Sequence, residues 1–307
     1  MTGILYIDGL DVYSLYHVFI TESSYRDLIA FPPLKPVDSN DWMEEDGEEF
    51  DLSEPVLDTR ELSIKFAFCG DENLFSDFFG LFSDRAYHDF NFLDLGKVYR
   101  LRLVSQSDMN KSLMLGTFTL RFADDFPLSG YTYVPPQSSL VQKQGYVLDE
   151  KDLSEYGLYV LRGSDAEIQK SPAIKKNLLQ NIKNQSGAIY DGKTVVFQTK
   201  EVKLNCLMRA KTLTEFWRNY NALIFDLIRP KERNLYLDFS IYEYPFYYKN
   251  CTVEKFTPIG KIWFQFSLIL VFTSFRVDEV GDLLSTEDEE FVTTEQDNYT
   301  IDLYYAD

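Results

Sequence analysis

Few residues in this sequence have the types and spacing that catalysis or metal binding requires. Its two histidines, His17 and His88, each lack a cysteine or second histidine at ligand spacing, so both are expected to be structural. The three cysteines, Cys69, Cys206 and Cys251, form no CxxC pair, which argues against a zinc site or a disulfide framework. No G-x-S-x-G, glycine-rich phosphate loop or HExxH motif occurs. The sequence therefore predicts no enzyme, no metal site and no cofactor.

Carboxylates are the reactive groups that the chain has in excess, and a pair of them could serve a glycosidase as acid and base. The densest run is VDSNDWMEEDGEEFDLSE, residues 37–54. It lacks the order D-x-[DN]-x-[DN]-G of a calcium-binding loop. The Asp-Gly step inside it indicates a tight turn. We therefore expect a solvated acidic hairpin or extended loop.

The net charge makes nucleic acid an unsuitable ligand. The chain carries −19, and eleven acidic but no basic residues follow Arg276, which leaves −8 for residues 1–276. Such a surface repels phosphate backbones, so DNA could pass along it but is not expected to bind tightly. The apolar N-terminal stretch contains Asp8 and Asp11 and has no basic start, so neither a signal peptide nor a membrane span is expected.

The sequence contains an internal repeat with a spacing of 140 residues, and this repeat determines which elements hold the residues described above. Residues 31–66 and 171–206 align without a gap, and seven of the 36 positions are identical where average composition gives about two. The identical pairs are Pro32 and Pro172, Lys35 and Lys175, Gly47 and Gly187, Asp51 and Asp191, Val56 and Val196, Thr59 and Thr199, and Glu61 and Glu201. The alignment predicts a tandem duplication.

The order of predicted elements repeats as well. The first aligned strand, within 56–66, is followed by four phenylalanines at helical spacing, Phe75, Phe78, Phe79 and Phe82. The second, within 196–206, is followed by TLTEFWRNYNALIFDLIRP, in which Thr212 and Glu215 form a capping box and Pro230 ends the helix. Strand-like runs then close each half, and IWFQFSLILVFTSF is apolar enough to predict burial on both faces.

These patterns predict a mainly β protein of the α+β kind. It has two tandem β-sandwich or barrel-like units, each with one amphipathic helix, and the 16% aromatic content suits such strands. The predicted divisions are a first domain at 1–126, a linker at 127–145, a second domain at 146–276 and an acidic tail at 277–307. Alternating apolar residues from Tyr299 to Tyr305 leave the tail either an added edge strand or disordered.

The two aligned loops have opposite charge, which suggests an assembly surface. The residues proposed for contacts between subunits are Glu44, Glu45, Asp46, Glu48 and Glu49 in the acidic loop and Lys175, Lys176 and Lys183 in the basic one. If the units alternate around a ring, each acidic loop would lie beside a basic one and like neighbours would be disfavoured.

Four features of the sequence together resemble a known family. They are YIDGLDVYSLYHVFI, the long loop 36–55, LDTRELSIKFAF with its following helix, and LDFSIYEYPFYYKNCTVEKF before the closing strand. This order resembles the tail-tube fold of tailed bacteriophages, and it is similar to their distal tail and hub proteins. The resemblance covers most of residues 1–276 and implies two tail-tube-like units.

The resemblance implies a virion tail component, made in the host cytoplasm, that forms a ring around the DNA channel between tail tube and baseplate. Its expected partners are other copies of itself and the neighbouring tube and baseplate proteins. Three chains would give a pseudo-six-fold ring, and six chains would give two stacked rings. The alternative is a non-catalytic carbohydrate-binding β-sandwich, for which Trp42 is the candidate stacking platform.

Overall fold

A computed structural model of the protein describes residues 3–21, 25–70, 72–112, 115–176, 179–190, 195–238, 240, 242–258 and 260–274. These residues form two seven-stranded antiparallel sheets and two short hairpins, with few helices. The fold is mainly β, as the sequence predicts. The predicted acidic tail and its possible edge strand lie outside the described residues.

The first sheet has the strand order β2-β1-β7-β8-β9-β6-β3. Its strands are β1 (Leu5–Ile7), β2 (Leu10–Asp11), β3 (Val18–Ile20), β6 (Arg60–Cys69), β7 (His88–Phe92), β8 (Lys97–Lys111) and β9 (Leu115–Asp124). The helices of this first unit are α1 (Val12–Tyr16), α2 (Tyr25–Ile29) and α3 (Glu72–Gly80). A hairpin of β4 (Ser39–Asn40) and β5 (Glu49–Phe50) lies in the predicted acidic loop.

The second sheet has the order β11-β10-β16-β17-β18-β15-β12. Its strands are β10 (Tyr146–Leu148), β11 (Lys151–Asp152), β12 (Leu158–Val160), β15 (Lys200–Ala210), β16 (Arg233–Leu237), β17 (Glu243–Thr257) and β18 (Ile262–Phe272). The second unit also contains α4 (Ser164–Gln169), α5 (Leu213–Leu227) and a hairpin of β13 (Leu179–Gln180) and β14 (Ile189–Tyr190). Strand for strand, the two sheets have the same order.

Small turns correspond as well as strands. Asp8 and Asp149 both have positive φ, 50° and 53°. Each carboxylate accepts a backbone N–H from the strand beside it, at 2.9 Å from Asp89 and 3.0 Å from Asn234. The same hydrogen bond, from a backbone N–H to an aspartate carboxylate, therefore fixes the first turn of each unit.

Each unit folds its sheet around an aromatic core. Along β6 the buried residues alternate with partly or fully exposed ones, as the period of a strand requires. In the first unit Phe78 of α3 is fully buried against this face. In the second, α5 buries the predicted stripe that includes Phe216, Tyr220 and Leu223. The helix thus closes the core over the sheet in both units.

The predicted capping box at the start of α5 is confirmed with one difference. Thr212 Oγ1 accepts the N–H of Glu215 at 3.2 Å. The Glu215 carboxylate accepts the N–H of Lys211 at 2.9 Å instead of that of Thr212. Both bonds satisfy amides at the helix start that have no partner within the helix.

Burial of β18 on both faces is only partly found. Phe264, Phe266 and Leu268 on its inner face are buried. On the other face Trp263 is 39% exposed and Ile269 is half-buried. The apolar run predicted a second covering layer, but this face of the isolated chain is incompletely covered.

The segment predicted as a linker packs along α5. Gln137 N donates to Asn219 Oδ1 at 2.9 Å, and Tyr133 Oη donates to the buried carboxylate of Asp226 at 3.0 Å. The linker is therefore held on the second unit by polar contacts. Within the described residues, no helix is long and apolar enough to cross a membrane.

Candidate functional site: the junction between the two units

The histidines, as candidate reactive residues, have structural surroundings. His88 is buried, and its Nδ1 lies 2.7 Å from Asp8 Oδ2. His17 is exposed and caps α1, where its N–H donates to Tyr13 O at 2.9 Å. In the described part of the chain, no three His, Cys, Asp or Glu side chains converge as a possible metal site. The best-developed polar constellation is instead the junction between the units.

The long loop of the first unit crosses onto the second unit. We call residues 30–58 the first arm. Phe31 is 2% exposed and lies between rings of the second unit, with centroid distances of 4.5 Å to Tyr220, 5.2 Å to Phe266 and 6.1 Å to Phe264. A residue of the first half therefore completes the core of the second.

Backbone groups of the first arm are bonded to the second unit along this path. Leu34 N donates to Lys249 O on β17 at 2.9 Å. The hydroxyl of Tyr248 donates to Pro32 O at 3.0 Å, and that of Tyr220 donates to Ala30 O at 3.1 Å. Burial raises the pKa of both phenols, which keeps them protonated as donors.

The root of the first arm is held by a buried ion pair. Arg60 Nη2 donates to Asp124 Oδ2 at 2.6 Å. Its Nη1 donates to Leu28 O at 3.0 Å and to Ala30 O at 2.9 Å. Tyr99 Oη adds a bond to Leu28 O at 2.8 Å. The guanidinium thus fixes the direction in which the arm leaves the first unit.

The tip of the first arm binds the matching loop of the second unit. Gly47 N donates to Phe197 O at 2.9 Å, and Phe197 N donates to Asp46 Oδ1 at 2.7 Å. The ammonium of Lys175 is buried between Asp41 Oδ1 at 2.5 Å, Trp42 O at 2.9 Å and Gly47 O at 2.6 Å. One cation therefore satisfies three acceptors of the hairpin.

The predicted acidic and basic loops meet, in part, inside one chain. Asp46 and Lys175 make the contacts above, and Glu48 Oε1 accepts from Thr199 Oγ1 at 3.3 Å. The other residues predicted for the assembly surface are exposed: Glu44, Glu45, Glu49, Lys176 and Lys183. Their role between subunits stays a prediction.

The two units also touch each other directly, around Lys97 of the first unit. Trp217 Nε1 donates to Leu95 O at 2.6 Å across the junction. Lys97 Nζ lies over three rings, 4.1 Å from the centroid of Trp217, 5.0 Å from Tyr99 and 5.6 Å from Tyr220. Burial, and then a neighbouring guanidinium, lowers the pKa of Lys97 to about 7. The ring faces oppose this by favouring the cation.

Beside these contacts, the junction encloses a cavity of about 490 Å³. Its walls are mainly apolar and come from β1 and β3 of the first unit and from Phe256, Thr257 and Pro258 of the second. The polar pair in its wall is Tyr25 and Asp94, whose hydroxyl and carboxylate lie 3.2 Å apart. These two polar groups of the wall therefore satisfy each other.

Trp42 lies at the tip of the first arm and is 54% exposed. Its indole N–H lies 3.4 Å from Glu49 Oε2, and its carbonyl holds Lys175. The backbone of Trp42 therefore anchors the tip while its ring stays accessible, and sugar binding by this ring stays a prediction.

The similarity of this chain to known proteins is distant. No family model matches it, and no curated protein matches it significantly. Among solved structures, it is similar to the protein described as SPP1 Dit (gp 19.1), a paradigm of hub adsorption apparatus in Gram-positive infecting phages. The two are 10% identical, the match covers 89% of this chain and 99% of that chain, and the TM-score is 0.32. A TM-score of this size does not establish a common fold.

Proposed function

We propose that the protein is a structural component of a phage tail or of a phage-like injection apparatus. In this role it is a distal tail or hub adaptor that forms a ring around the DNA channel between tail tube and baseplate. We also infer that its two units arose by duplication, which their common strand order supports.

The observation that carries the proposal is the contact between the units. The first unit extends an arm onto the second, and the second unit has the same long loop before its own long strand. In a head-to-tail contact of this kind, one end of each chain carries an undocked arm and the other end carries an unoccupied docking surface. Further copies therefore add until a ring closes or a filament grows.

The setting in a phage tail comes from the resemblance of the sequence to tail-tube and distal tail proteins. Charge supports it, because a chain of −19 would let DNA slide past without adhering. Three chains would place six units in one ring, and six chains would form two stacked rings. Tube and baseplate proteins would then cover the two faces of the ring.

The test is the solution mass of the purified protein by light scattering, with negative-stain imaging of the same sample. We expect a trimer or a hexamer that appears as rings with a central hole. Compact particles without a hole, or open filaments, would contradict the adaptor role. A monomer at every attainable concentration would also contradict ring formation by this chain alone.

A further inference from the structure

We propose that the second arm, residues 170–198, docks on the first unit of another copy in the way the first arm docks on the second unit within the chain. This inference rests on the ring assembly proposed above and identifies the surfaces that would form it. The occupant of the free site on the first unit is a second copy of this chain.

The two arms have the same backbone shape where the structure describes them. The hairpin pairs Leu179 with Tyr190, each 140 residues after the pair Ser39 and Phe50. The bridge between Ile174 and Phe197 likewise repeats that between residues 34 and 57. Gly187 and Gly47 both have positive φ, 84° and 67°. The described parts of the second arm are therefore already in the conformation that docks.

Within the part of the chain that the structure describes, the second arm nevertheless has nothing beneath it. Leu34 is 9% exposed, whereas its counterpart Ile174 is 49% exposed. Gly47 is buried, whereas Gly187 is exposed. Further apolar side chains of the second arm are exposed too, namely Leu179, Ile182, Ile189 and Val195. A row of such side chains on a preformed arm marks an interaction surface.

The first unit displays the matching receptor. Lys35, the counterpart of the buried Lys175, is exposed, and Val56 is 51% exposed where its counterpart Val196 is 4% exposed. The backbone hydrogen bonds of the bridge between residues 34 and 57 are made by the flanking residues, as in the bond from Lys35 N to Val56 O. The N–H and C=O of Leu57 itself therefore point outward. Among the described residues, none pairs with these two groups or with Lys35 Nζ.

The chemistry of the tip fits this receptor. By analogy with the contact inside the chain, Gly187 N would donate to Leu57 O, and Lys35 Nζ would donate to the carbonyls of Gly187 and Ile182. Ser186 replaces Asp46 as the acceptor for Leu57 N. Asn181 likewise stands where Asp41 binds the ammonium within the chain.

The beginning of the second arm, near Ile174, also has a matching surface on the first unit. Leu34 N is bonded to Lys249, a bulged residue of β17, and β8 has its corresponding bulge at Val104. Val104 is 43% exposed. By analogy with Lys249, its carbonyl would accept the N–H of Ile174. Two carboxylates of the contact inside the chain, Asp41 and Asp46, are replaced by neutral acceptors. The contact between chains is therefore the weaker one and can dissociate.

The experiment uses two substitutions in the full chain and measures the dissociation constant of the assembly by analytical ultracentrifugation. Asn181→Asp restores the carboxylate that Asp41 supplies within the chain, and it should tighten assembly roughly tenfold. Lys35→Met should weaken assembly by a similar factor, roughly tenfold, and should cancel the gain from Asn181→Asp in the double variant. Lys143→Met, which removes an exposed lysine of the linker outside both arms, is the matched control and should change nothing.

All these side chains are exposed in the single chain, so the melting temperature of the dissociated protein should stay constant in every variant. Assembly that is indifferent to Lys35→Met and Asn181→Asp would overturn the docking proposal while leaving a ring-forming adaptor intact. Filaments that respond to both substitutions would support the docking and contradict the ring. A protein that stays monomeric even with Asn181→Asp would overturn the docking proposal as well.

Discussion

Replacing Phe31 with alanine is expected to lower the free energy of unfolding by about 3–5 kcal/mol. Phe31 comes from the first half of the chain, yet its ring is buried among Tyr220, Phe264 and Phe266 of the second. The substitution removes apolar burial and leaves a cavity that these rings, which are part of a packed sheet and helix, cannot fill. Urea unfolding followed by circular dichroism measures the loss.

The repeat supplies a matched control for Phe31→Ala. Ser171 occupies the aligned position at the start of the second arm and is exposed. Ser171→Ala should change the free energy of unfolding by less than about 0.5 kcal/mol. Equal losses in the two variants would mean that the first arm does not complete the core of the second unit.

Arg60→Met is expected to destabilise the protein by a comparable amount, about 3–5 kcal/mol. It leaves the carboxylate of Asp124 buried without its cation, and it frees the carbonyls of Leu28 and Ala30 at the root of the first arm. The cost of an unpaired buried charge dominates this loss. Thermal unfolding at neutral pH, analysed with the measured enthalpy, gives the value.

The counterpart of Arg60 in the second unit allows the charge effect to be separated from packing. Lys200 is buried and donates to Ile168 O. Its ammonium lies 5.4 Å from the ring centroid of Phe272, and Phe272 occupies the position that corresponds to Asp124. Lys200→Met leaves no carboxylate unpaired, so we expect a much smaller loss. Similar losses for Arg60→Met and Lys200→Met would contradict the role assigned to the ion pair.

Much of the fold follows from local patterns in the sequence. Thr212 and Glu215 predict the start of α5 because their capping hydrogen bonds join residues that are close in sequence. The acidic loop contains a hairpin because its Asp-Gly step suits a tight turn, and Gly47 has positive φ there. The alignment with one constant spacing covers the arms and the long strands β6 and β15, and the repeated order of elements around it predicts the repeat of strand order.

The crossing of the first arm could not be predicted in the same way. Phe31 ends a short apolar run before two prolines, and periodicity does not say which of two cores it enters. The signal lay in a difference between the repeats, because Phe31 aligns with Ser171 although the next residue is proline in both. Likewise, the aligned lysines Lys35 and Lys175 differ only in their surroundings, which are set by contacts distant in sequence.

Joining two units in one chain allows the two kinds of junction to differ. Within the chain, Asp41 and Asp46 supply carboxylates to the contact, and the junction is permanent. Between chains, Asn181 and Ser186 would take their places, and the junction would be reversible. An assembly built this way would dissociate into intact two-unit subunits, and its stability would depend on protein concentration.

The most direct test of this account is amide hydrogen exchange, measured by mass spectrometry on the full chain at concentrations above and below the assembly midpoint. The segment 39–50 should be protected under both conditions, because Gly47 N is bonded to Phe197 O within the chain. The segment 179–190 should exchange rapidly in the single chain and become protected on assembly. Equal exchange of 179–190 in both states would contradict the claim that the junction inside the chain is repeated between chains.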